Sequence, residues 1–300
     1  TIEAAKALAA IRREANQVPL VADIHFHPQF ALAAIEAGFD KIRWNPGNIR
    51  DTASVREVVE RAKARRVPIR VGVNVGSLDP ECLPAATRAA RQAGEATHAD
   101  DLVEAIVQSA LKSVRLLEGF DFHDIVISLK SSDVLQTLAA YRRMAQRCDY
   151  PFHLGVTEAG LLEASTVKSS IGIGALLAEG IGDTIRVSIT GDPIDEVKIA
   201  QRILSSLELR RFETNVIACP SCGRCEIDVV GIAKQVQERL TRLGATEPRA
   251  LELTVAVMGC VVNGPGESEH ADVGLAGGGG VGVIYRKGKQ IRRVPEAEMV

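Results

Sequence analysis

Three hundred residues with 46% hydrophobic and 25% charged side chains have the composition of a soluble globular protein, enough for one large domain or for a domain with a smaller companion. The net charge of −2 gives no reason to expect nucleic acid or an acidic membrane surface as partner, and no run approaches the roughly 18 apolar residues of a spanning helix. Six cysteines are too sparse for a disulfide framework in so long a chain, and four of them (Cys219, Cys222, Cys225 and Cys260) fall near one another while Cys82 and Cys148 stand apart, which points to a reducing compartment and a metal site.

The chain opens on "TIEAAKALAAIRREA", an amphipathic helix with Thr1 placed to cap it. Up to about residue 205, short apolar strands then alternate with helical stretches. The strands read as "PLVADI" (19–24), "KIRW" (41–44), "PIRVGVN" (68–74), "DIVISL" (124–129), "FHLGVT" (152–157) and "TIRVSI" (184–189). Strand–helix alternation predicts parallel βαβ units. The segment from Leu78 to Asp100 is longer than an ordinary strand-to-helix loop, so it reads as a lid or as an excursion of its own. Six strands behind a leading helix fit a (β/α)8 barrel lacking its first two strands; an open doubly wound sheet also accommodates six. The rhythm changes near 205–212. A strand ending in "ACPSCGRC", the helix "IDVVGIAKQVQERLTRL", the strand "LELTVAVMG" and a run of short strands with glycine turns predict a compact α+β module. The expected division is thus a partial barrel over 1–208 and an α+β domain over 209–300.

Strands buried on both faces are apolar throughout, yet these carry polar residues at alternate positions near their C-terminal ends. Asp23 and His25 share a face, as do Arg43 and Asn45, Arg70 and Asn74, Ser128 and Lys130, and Arg186 and Ser188. Any one cation among them reads equally as a salt-bridged strand end. Four at equivalent positions (Arg43, Arg70, Lys130, Arg186) read as a binding site for a strongly anionic ligand, a phosphate or diphosphate ester. Glu158 follows the fifth strand directly and is a candidate acid or base.

In the second module, Cys219-x2-Cys222-x2-Cys225 and Cys260 supply thiolates at the spacing of a metal or iron–sulfur site. Structural zinc is the rival; a redox disulfide is weaker, because no thioredoxin-like βαβ pattern surrounds the motif. The stretch "VAVMGCVVNGPGESE" sets Glu267 seven positions after Cys260, across two turn signals. With three thiolates on a cubane cluster, that carboxylate is a candidate for the fourth iron, and Cys225 is a competing one.

These residues carry a resemblance. "VPLVADIHF", "AGFDKIRWNPGNI", "VPIRVGVNVGSL", "DIVISLKSSDV", "HLGVTEAG", "GALLAEGIGDTIRVS", "ACPSCGR" and "VMGCVVNGPGE" together resemble the 4-hydroxy-3-methylbut-2-en-1-yl diphosphate synthase family of the non-mevalonate isoprenoid pathway, from end to end of the chain. The resemblance implies a TIM barrel followed by a domain carrying a 4Fe–4S cluster, and a two-electron reductive ring opening and dehydration of 2-C-methyl-D-erythritol 2,4-cyclodiphosphate. It implies Cys219, Cys222, Cys260 and Glu267 as cluster ligands. Arg43, Arg70, Asn74, Lys130 and Arg186 would hold the diphosphate, with Asp23 and His25 nearby, and Glu158 would take part in proton transfer. It further implies a cytoplasmic homodimer in which one subunit's cluster domain closes over the other's barrel, with ferredoxin or flavodoxin as electron donor. Two departures stand out: the family barrel has a further strand, helix and strand before the point where this chain begins, and Cys225 occupies a position where threonine is expected.

Overall fold

Parallel pairing in strict chain order governs the first two hundred residues of the computed structural model, which describes residues 2–15, 17–24, 27–44, 51–78, 80–94, 98–260 and 262–300. Thr1 lies outside them. The chain forms two compact units, residues 1–200 and 201–300.

In the first unit, α1 (Ile2–Glu14) leads into β1 (Val21–Ile24), α2 (Pro28–Glu36), β2 (Lys41–Trp44), α3 (Thr52–Arg65) and β3 (Ile69–Asn74). There follow α4 (Ala85–Gln92), α5 (Ala99–Glu118), β4 (Ile125–Lys130), α6 (Val134–Ala145), β5 (His153–Leu154), α7 (Leu162–Ala178), β6 (Thr184–Ile185) and α8 (Pro193–Ser206), the last of which runs past the unit boundary. β1 to β4 are parallel neighbours in the order of the chain, a parallel bridge from Ile127 to Phe152 continues the series, and β5 pairs in parallel with β6. A doubly wound sheet reverses its strand order at a switch point; an unreversed series is the arrangement of a barrel wall. The long segment after β3 is an excursion with its own helix, α4, which Thr87 ties to Asp101 of α5 through a 2.5 Å hydrogen bond.

Alternation along each strand sends one set of side chains outward to the helices. Ile42, Ile69, Val71, Ile127 and Leu129 are fully buried there, together with Ala31, Ile35 and Val59 from the helices after β1 and β2 and Ile106 and Leu117 from α5. Asp51 caps α3 by accepting from the Ala53 and Ser54 N–H groups, and Asp133 caps α6 by accepting from that of Gln136. The last two strands are shorter than the sequence predicts. Regular pairing from 152 to 157 is interrupted, and Tyr141 of α6 is the reason. Ile127 N–H donates to Pro151 O and Thr157 N–H donates to Ser131 O, but between them Leu129 N–H donates to Tyr141 Oη at 3.0 Å, and that hydroxyl donates to His153 O at 2.5 Å. A side-chain hydroxyl therefore stands where a direct strand-to-strand bond is due. Tyr141 is wholly buried, and burial raises its pKa, so the hydroxyl keeps its proton. Tyr141→Phe leaves one N–H and one C=O buried without partners, which is expected to cost about 2–3 kcal/mol. Urea unfolding of the two proteins measures it; equal midpoints would show that the strands close the gap unaided.

The second unit is a five-stranded mixed sheet in the order β11-β10-β9-β8-β7, from β7 (Asn215–Ala218), β8 (Thr254–Met258), β9 (Val273–Gly278), β10 (Val281–Arg286) and β11 (Lys289–Pro295). α9 (Val229–Thr246) connects the parallel pair β7 and β8; α10 (Gly264–Glu269) connects β8 to its parallel neighbour β9. The apolar run of β8 buries both faces: Val255 and Val257 pack with Ile232 and Val236 of α9, and Ala256 and Met258 with Ala276, Val283 and Tyr285. Gly279–Gly280 and Lys287–Gly288 supply the left-handed backbone that the two tight hairpins need, as "GGGG" and "RKGK" predict. Among the described residues no helix is long and apolar enough to cross a membrane.

Candidate active site

Strand register assembles the polar stripe. Asp23, Arg43 and Arg70 are direct partners across β1, β2 and β3; one layer further along Gly72 pairs with Ser128, and in the layer after that Asn74 pairs with Lys130. Since partners in a parallel sheet face the same way, the six side chains other than glycine line one face, opposite to the face covered by helices. Arg43 lies nearly buried across this face, donating to Asp23 Oδ1 at 2.8 Å and to Gly72 O at 3.5 Å. A Cβ at residue 72 would come within 2.4 Å of Arg43 Nε, so the glycine is what gives the guanidinium its place.

The other cations of the row lack such partners. Arg70 Nε and Asn74 Oδ1 are buried without a hydrogen bond, and Lys130, 6% exposed, makes no ion pair among the described residues. Burial, and then Arg186, Arg70 and Arg43, push the Lys130 amine down to about 7, against the pull of Asp23. Arg70 is lowered as well, first by burial and then by Arg43 and Arg186, with Asp23 opposing. Arg186 is exposed and donates to Ser188 Oγ at 3.2 Å. Glu158 is exposed just beyond β5, with φ of 51°; on this left-handed backbone strand parity no longer decides where the carboxylate goes. His25 and Asn45 lie outside the described residues.

Two groups on the same face were not singled out in the sequence. His153 of β5 is buried, with Nδ1 2.9 Å from Thr184 Oγ1 and Nε2 unpartnered; burial, then Arg70, Lys130, Lys41 and Arg186, push its pKa down to about 2, so the ring is neutral. Lys41 stands two residues before Arg43, and burial and then Arg70 lower its pKa. The period-two pattern that exposed Ser128 and Lys130 also marks His153 in "FHLGVT". A face carrying five cations beside the carboxylate of Asp23 is built for an anion.

In the second unit, parallel pairing brings the cysteines together. β7 and β8 end at the same edge of the sheet, and Cys219 and Cys260 follow those ends. Cys219, Cys222, Cys225 and Cys260 bound a cavity of about 200 Å³ with Arg224 and Asn263. Gly259 N–H donates to Cys219 Sγ at 3.2 Å, and the N–H and side chain of Arg224 hold the Cys222 thiol below its usual range. Such N–H···S contacts favour thiolates, the form that binds metal. Among the described residues no three His, Cys, Asp or Glu side chains converge on a single-ion site. Four soft donors around a cavity, with backbone N–H groups at the sulfurs, fit an iron–sulfur cluster, whose ligands sit on separate irons. Glu267 is exposed on α10 and is not among the residues bounding the cavity.

Residues 1–201 match the description of the GcpE TIM-barrel domain, and residues 215–300 that of the GcpE protein C-terminal domain. The chain is 52% identical over 296 residues to the 4-hydroxy-3-methylbut-2-en-1-yl diphosphate synthase (flavodoxin) of Geobacter sulfurreducens, a match spanning 99% of this chain and 78% of the relative. The proteins of the same name from Symbiobacterium thermophilum and Fusobacterium nucleatum are 52% and 48% identical over 300 and 299 residues, with 100% of this chain and 76% and 79% of theirs covered.

Proposed function

This chain belongs to the GcpE family, and on that footing we propose that it acts as a 4-hydroxy-3-methylbut-2-en-1-yl diphosphate synthase, opening the ring of 2-C-methyl-D-erythritol 2,4-cyclodiphosphate by two-electron reduction and dehydration. The observation that carries the reading is the row of strand-end cations with so little carboxylate to match them.

Arg70, Lys130 and Arg186, with Arg43 steadied by Asp23, neutralise the diphosphate; Asn74, Ser188, His25 and Asn45 supply polar contacts that orient it. Neutral His153 offers a further ring nitrogen without adding charge. Glu158, at the end of β5, holds or delivers the proton that the departing oxygen needs. Cys219, Cys222 and Cys260 would hold a 4Fe–4S cluster, with Glu267 as an oxygen donor; when bound, such a cluster supplies single electrons and a Lewis-acidic iron. Flavodoxin, which appears in the names of the relatives, is the proposed electron donor, with ferredoxin as the other carrier the reaction admits. The working form is proposed to be a cytoplasmic homodimer.

Protein purified without oxygen is expected to be brown, to contain iron and sulfide, and to turn over the cyclic diphosphate with reduced flavodoxin. A colourless zinc protein inert towards that substrate would overturn the reading.

Lys130 makes the binding step proton-linked. Its folded-state pKa near 7 lies below the ~10.4 of an unfolded lysine, so between those values the unfolded chain binds the proton and the ligand-free folded chain does not. The destabilising effect of this amine is therefore full below about pH 7 and fades as pH rises towards about 10. A bound diphosphate restores the charged form. At pH 8, binding is expected to take up close to one proton, read by calorimetry in two buffers of different ionisation enthalpy, and Lys130→Met is expected to abolish the uptake. Equal uptake in both proteins would assign the proton elsewhere.

A further inference from the structure

We propose that Cys225 is itself a ligand of the cluster, closing in the resting protein the corner for which Glu267 is the oxygen donor; the inference rests on the iron–sulfur reading above. Cys219-x2-Cys222-x2-Cys225 has the spacing with which bacterial ferredoxins set three thiolates on one cubane. In the folded unit, Cys225 bounds the same cavity as Cys219, Cys222 and Cys260, whereas Glu267 is exposed and lies off it. The loop is pinned for this purpose. Cys225 N–H donates to Cys222 O at 2.9 Å, and Glu226 N–H donates to Gly259 O at 3.0 Å, fastening the segment to the strand end that carries Cys260. Gly259 completes the arrangement, because a Cβ there would fall 2.4 Å from Cys225 Sγ and displace the sulfur. In the ligand-free unit Cys225 Sγ donates to Ile227 O at 3.2 Å and packs beside the core, a contact that thiolate ligation would replace.

Cys225 would hold the fourth iron as a thiolate at rest, and Glu267 or substrate would offer the oxygen that replaces it; the iron–sulfur bond would give way to an iron–oxygen bond and the released thiolate would take a proton from solvent, with no electron moved. Cubanes whose fourth iron lacks a thiolate give up that iron, with one electron, to a mild oxidant.

The test is ferricyanide titration of the anaerobically reconstituted full chain, followed by iron analysis and EPR. Wild type and Glu267→Ala are expected to keep all four irons. Cys225→Ser, and Glu267→Ala combined with Cys225→Ser, are expected to lose about one iron in four and to show the EPR signal of a three-iron cluster. Two results would overturn the proposal: Cys225→Ser as resistant as the wild type, or Glu267→Ala, with Cys225 intact, losing its iron. Both leave a brown four-iron protein before oxidation. A wild type holding zinc or no metal would instead remove the cluster reading, and this inference with it.

Discussion

Arg70→Met is expected to weaken binding of the cyclic diphosphate about thirtyfold to several thousandfold, the equivalent of about 2–5 kcal/mol for removing one partner of a desolvated charge pair. The same substitution is expected to stabilise the ligand-free protein by about 1 kcal/mol, since a hydrophobe of similar volume in place of a buried charge is commonly neutral or favourable. The two effects share one cause. Arg70 sits beside Arg43 in register, its Nε is buried without a partner, and burial and like charges already depress its pKa. An arginine held for structural reasons would lose stability on replacement and leave affinity untouched. Calorimetric titration with the substrate and thermal unfolding without it separate the outcomes, and unchanged affinity would count against the anion site.

Glu267→Ala is expected to keep its iron and colour while turnover falls about 10²–10³-fold, the range seen when a single group acting on transition-state charge is removed. The thiols account for retention. Cys260 is buried, Cys219 accepts a backbone N–H, and Cys222 is held towards its thiolate, so the anchoring does not depend on the carboxylate. Cys260→Ala provides the contrast, because loss of a buried thiol is expected to remove the cluster itself. Iron analysis and steady-state rates with reduced flavodoxin check both variants; a wild-type rate in Glu267→Ala would take that side chain out of the chemistry.

Much of the barrel was legible in the sequence because its strands break their own rule. In β2, β3 and β4 the arginines, asparagine, serine and lysine interrupt apolar runs at alternate positions, and alternation is enough to place them on one face. Strand counting alone did not separate a barrel from an open doubly wound sheet, since the choice rests on which strands pair; the family resemblance pointed to the barrel, and the unreversed order from β1 to β4 agrees with it. His153 escaped notice although "FHLGVT" alternates as its neighbours do, because the positions sharing its parity are Gly155 and Thr157, neither of them charged. Gly72 escaped for another reason: a glycine within a strand reads as a weak point until the guanidinium lying across it is seen. The thiols were countable from the start. That Cys225 and Cys260 bound one cavity depends on the parallel pairing of β7 and β8 across some forty residues, which no local pattern encodes.

Tyr141 ties the assembly of the first unit to a helix. With Leu129 and His153 clasped through its hydroxyl, the seam between the fourth and fifth strands stays unsealed until α6 has docked. Detachment of that helix and unzipping of the seam are accordingly one cooperative event. The Leu129 amide should exchange with deuterium in step with the amides of α6, and ahead of those in the fully laddered strand pair β3–β4.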